Sequence, residues 1–62
     1  MSIPLSTQIA SVKREIAMRE RVYPRWVASG KMKLDQSERE IAAMKAVLET
    51  LMAIDPEQGA ML

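Results

Sequence analysis

The residue types in this chain that could do chemistry are concentrated in "RERVYPRWVASGK", residues 19 to 31. This stretch places Arg19, Arg21, Arg25 and Lys31 around the only tyrosine, Tyr23, and the only tryptophan, Trp26, with Pro24 between the two rings. An arginine fork suits bidentate contacts with phosphate or carboxylate. A Tyr or Trp face can stack on a nucleobase, worth roughly 1–3 kcal/mol per base. The same combination of Arg and aromatic side chains is also the usual make-up of a protein-interface hot spot. Arg19, Arg21, Tyr23, Arg25 and Trp26 are therefore the candidate ligand-binding residues, with a planar anion or a protein partner as the target.

Other chemistries lack their groups. There is no Cys and no His, so disulfides and the usual zinc and copper ligand sets are absent, and no carboxylate spacing suits magnesium or calcium. No cofactor is expected. No nucleophile–base constellation and no glycine-rich phosphate loop occurs, so the chain is not expected to be an enzyme.

The net charge of +1 conceals an asymmetry. Residues 13 to 33 carry seven basic side chains against Glu15 and Glu20, whereas residues 34 to 62 carry six acidic ones against Arg39 and Lys45. The two halves can neutralise each other, or the basic half can also meet an outside anion. Sequence-specific DNA binding is disfavoured, because a reading helix that opens with Asp35, Glu38 and Glu40 would be repelled by phosphate. The apolar runs are far shorter than the roughly 20 residues of a membrane span, and no signal-peptide pattern opens the chain. A soluble protein of the cytoplasm is the expectation.

The elements that must position these residues follow from periodicity. Leu5, Ile9, Val12 and Ile16 recur at 4, 3, 4, one face of a helix, and the same spacing continues through Arg19, Tyr23 and Trp26. Ser6, or Ser2 with Pro4 in the first turn, is the expected start. Glu15 and Arg19 stand in the favourable order for an i,i+4 ion pair. Pro24 is expected to kink this helix or to end it near Val22, with a turn or short helix over 23–30 closed by Gly30 in the left-handed conformation.

A second helix is expected over about 36–54. Asp35 and Glu38 resemble a capping box at its start, and Asp55-Pro56 should stop it. Residues 55–62 read as a loose tail. Ile41, Met44, Leu48 and Leu51 form its stripe, widened by Val47, Met52 and Ile54. That face is wider than one neighbouring helix covers. The fold expected is all-α: an antiparallel hairpin with a proline-kinked first helix, assembling through Ile41, Met44, Val47, Leu48, Leu51 and Met52 into a homo-oligomeric bundle. A single 62-residue domain with so small a core is marginal alone, and association is the route left to stability.

"EIAMRERVYPRWVASGKM" followed by "EIAAMKAVLETL" resembles a family of short accessory proteins of tailed phages and prophages, over about residues 8 to 52. The motif R-x-x-V-Y-P-R-W-V-x-x-G is carried here by Arg19, Val22, Tyr23, Pro24, Arg25, Trp26, Val27 and Gly30. The resemblance implies a phage accessory gene and no particular activity. Proteins of that kind commonly work by binding, either sequestering a nucleotide signal of host immunity or blocking a host protein. Two functional readings stand side by side: an oligomer that holds an anionic nucleotide through Arg21, Arg25, Tyr23 and Trp26, and a helical protein that inhibits a host protein through the same surface. Nucleic-acid binding is a third.

Overall fold

The computed structural model describes residues 2–54. They form two helices, α1 (Leu5–Ser29) and α2 (Leu34–Ile54), packed against each other as a hairpin. The expectations that Asp55-Pro56 stops the second helix and that 55–62 is a loose tail lie outside the described residues.

α1 opens without a side-chain cap. Pro4 is the cap residue, and its carbonyl accepts from the Gln8 amide at 3.1 Å. The Gln8 side chain folds back to donate to the Ile3 carbonyl at 2.9 Å, which anchors the entering chain. Neither Ser2 nor Ser6 takes the expected capping role: Ser6 already lies inside the first turn, and the fixed φ of Pro4 starts the helix instead.

The periodic seam of α1 packs as its spacing requires. Ile9, Ile16 and Tyr23 are buried, and Leu5 before them and Val12 and Arg19 between them are half-buried. Of the two outcomes expected at Pro24, a kink or an end near Val22, the end does not occur: α1 runs through Pro24 to Ser29 as one helix of 25 residues. Pro24 lacks the N–H that would bond the Glu20 carbonyl. Both residues are exposed, so water can take that carbonyl, while Tyr23 before the proline and Val27 after it are held in the packing.

Gly30 ends α1. Its φ of 84° is left-handed, and it donates to Val27 O at 3.2 Å while Lys31 donates to Trp26 O at 2.9 Å. This pair of bonds is the Schellman pattern, which satisfies carbonyls that a helix end otherwise leaves open. The chain then needs only residues 31–33 before α2 begins.

α2 starts at Leu34, earlier than the capping-box reading placed it. Asp35 therefore lies within the first turn, favourable for the helix dipole, and its carboxylate accepts from Arg39 at 3.2 Å. Of its stripe, Ile41, Met44, Leu48, Leu51 and Met52 are half-buried and Val47 is exposed. Ser37 is the buried residue of α2. The ion pairs between the helices, Arg19 with Glu40 and Lys45 with Glu20, set the register and bring Ser37 level with Tyr23. A small side chain there lets the helices approach beside a large ring.

Candidate functional site

Arg19, Tyr23 and Trp26 follow one another on a single face of α1 and form a stacked series. The Arg19 guanidinium lies 5.7 Å from the Tyr23 ring centroid, and the Tyr23 and Trp26 rings stack with centroids 5.4 Å apart at 29°. Such spacings are attractive for cation–π and offset aromatic pairs.

Arg19 is engaged within the chain through two of its guanidinium nitrogens. Nε donates to Glu15 at 2.8 Å, as the i,i+4 order foretold, and Nη1 donates to the Glu40 carbonyl at 2.9 Å and lies 3.5 Å from its carboxylate. The Glu15 hydrogen bond raises the guanidinium above its already high ordinary value, against an opposing effect of burial. The sign follows: this stabilisation is fully present below the unfolded-state value and is lost only in strong alkali. Arg19 is thus a structural clamp that steadies the Tyr23 ring, with Nε and Nη1 committed to protein acceptors.

The five candidate binding residues do not share one face. Arg21 and Arg25 each lie two residues from Tyr23 on a continuous helix, which turns them about 160° away from its ring at 3.6 residues per turn. Both are exposed, and no ion pair joins either to an acid among the described residues. Tyr23 is buried at 8% exposure and has Arg19 and Trp26 against it, so its ring is not open to a base. Trp26, at 38%, keeps open surface at the edge between the two sets.

On the continuous helix Trp26 is turned about 100° from Arg25 and about 140° from Arg21, so the single chain gathers neither arginine onto its ring. No enclosed pocket and no group of three potential metal-ligating acids forms among the described residues. None of their helices is long and apolar enough to cross a membrane.

One participant of the outer face was not among the candidates. Arg14 precedes Arg21 and Arg25 by 7 and 11 residues, which aligns all three on the side of α1 opposite Ile9, Ile16 and Tyr23. That spacing is visible in the sequence once the helix is known to be unbroken at Pro24. No family model, curated protein or solved structure matches the chain.

Proposed function

We propose that this chain is a non-enzymatic accessory protein that self-associates and binds an anionic, nucleotide-like ligand through Arg21, Arg25 and Trp26. The observation that carries the reading is the division of labour among the arginines. Arg19 is spent on Glu15 and Glu40, while Arg21 and Arg25, one turn apart, stand exposed with no ion pair among the described residues, and Trp26 is exposed on a neighbouring face of the same helix. Two exposed forks so spaced suit a phosphate, and Trp26 suits the base.

Self-association belongs to the same proposal. Among the described residues Ile9, Ile16 and Tyr23 alone make the buried apolar core and no side chain is fully buried, while Ile41, Met44, Leu48, Leu51 and Met52 remain half-open and Val47 exposed. Burying those residues against another copy supplies what the hairpin lacks. Because Arg21 and Arg25 face away from Tyr23, a closed ligand site needs a neighbouring subunit to bring an arginine of one copy towards the tryptophan of another. A bend of α1 at Pro24 would assist that closure. In a phage setting, which the resemblance in residues 19–30 implies, withdrawal of a host nucleotide signal is the role that fits.

Trp26 is the sole tryptophan and reports the site directly. Titration with linear and cyclic nucleotides should change its fluorescence saturably in the parent and not in Arg25→Ala, with helicity unchanged. No saturable change with any nucleotide contradicts the ligand reading. A second reading, inhibition of a host protein through this surface, is favoured by the open, unenclosed form of Trp26 and Arg25, since such pairs are typical interface anchors. Arg25-dependent co-purification of a host protein, with no nucleotide response, selects it.

A further inference from the structure

Four of the six acids among residues 2–54 are used internally: Glu15 and Glu40 by Arg19, Glu20 by Lys45 and Asp35 by Arg39. Glu38 and Glu49 are exposed, join no ion pair among the described residues and are 11 residues apart on one flank of α2. The outer face of α1 carries Arg14 and Arg25, likewise exposed and 11 residues apart. Each pair spans about 16 Å along its helix at 1.5 Å per residue. The spacing of the free acids therefore equals that of the arginines.

The register of the hairpin makes the match usable. Arg19 with Glu40 and Glu20 with Lys45 place residue 49 level with about residues 10–16 of α1, and residue 38 level with about 21–27. Two hairpins side by side in the same orientation bring α1 of one antiparallel to α2 of the next. With no shift along the axis, Glu49 then stands at the level of Arg14, and Glu38 at that of Arg25. Ala17 and Ala28 on the one face and Ala42 and Ala46 on the other are exposed and small, which allows the helices to come close. Arg21 falls opposite Ala42, so its charge stays uncompensated at the seam.

We propose that a second copy of this chain docks the Glu38–Glu49 flank of its α2 on the Arg14–Arg25 face of α1. The contact rests on the reading that copies associate, but it uses a charged surface distinct from the apolar stripe of α2. It is heterologous: each hairpin offers both halves, so repetition gives a closed ring or an open array. Individual exposed ion pairs are weak and screened by salt, so the contact depends on both pairs together and on low ionic strength.

The test is charge reversal with complementation. Glu38→Arg/Glu49→Arg makes both faces basic, and Arg14→Glu/Arg25→Glu makes both acidic. Sedimentation velocity is run on the parent, each variant alone and an equal mixture, at low and high salt, with circular dichroism to show that the exposed substitutions leave helicity intact. Neutral Gln versions at the same four positions serve if a reversed variant does not fold. The expected result is that the parent's largest species is lost in high salt and in each variant alone, and returns in the mixture. Variants that assemble like the parent, or a mixture no larger than its components, overturn the contact. In that case a persisting smaller oligomer leaves association through the apolar stripe standing. A parent that stays monomeric at every concentration removes both.

Discussion

Arg19 of α1 donates from Nη1 to the main-chain carbonyl of Glu40 on α2 at 2.9 Å and lies 3.5 Å from the Glu40 carboxylate. Its Nε is meanwhile held by Glu15. One half-buried side chain thus ties the helices together on the seam that also carries Ile16 and Tyr23. Hydrogen bonds to a charged donor contribute more than neutral ones, though partial exposure reduces them. Arg19→Met should destabilise the fold by about 1–2 kcal/mol, read from the urea midpoint. Arg21→Ala, on the exposed face, should stay within about 0.5 kcal/mol of the parent. Equal effects of the two substitutions would contradict the assignment of Arg19 as a clamp.

Gly30 carries the turn through its backbone alone. Its φ is 84°, yet an added Cβ would meet nothing within 4 Å. Gly30→Val should therefore cost about 1–2 kcal/mol, from the crowding of Cβ against its own local backbone and not from a contact with the rest of the fold. Gly30→Asn should cost less, because Asn tolerates the left-handed region. The chain is short enough for chemical synthesis, and D-alanine at position 30 should be neutral or stabilising in thermal unfolding. Loss of stability with D-alanine would show that the space around Gly30, not its φ, is what matters.

The seam Ile9, Ile16, Tyr23 and the positive φ of Gly30 were legible in the sequence, because helical spacing and glycine's missing Cβ each have a single strong structural reading. The start of α2 was not. An acid at 35 with a Glu at 38 serves equally as a capping box or as first-turn acids favoured by the dipole, and only the backbone distinguishes them. Ser37 does not read as a packing residue in the sequence, because its polarity hides the role of its small size. The outcome at Pro24 was not legible either: a break there would release Arg21 and Arg25 from the helical count, whereas an unbroken α1 turns them away from Tyr23 and aligns them with Arg14.

Pro24 sits exposed in the interior of α1 and removes one helical hydrogen bond. Pro24→Ala restores that bond and should stabilise the chain, by up to about 3 kcal/mol on the helix-propensity difference. Urea denaturation checks the sign. A destabilised Pro24→Ala would mean that the proline shapes the packing of Tyr23 and Val27.

Native mass spectrometry of the protein incubated with a panel of linear and cyclic nucleotides tests the central claim most directly, because one spectrum gives both subunit number and ligand stoichiometry. The expected result is an oligomer carrying bound nucleotide for the parent, and the same oligomer without nucleotide for Arg21→Ala, whose side chain takes no part in the contact between copies. A bare monomer, or an oligomer that binds nucleotide equally well after Arg21→Ala, would contradict it.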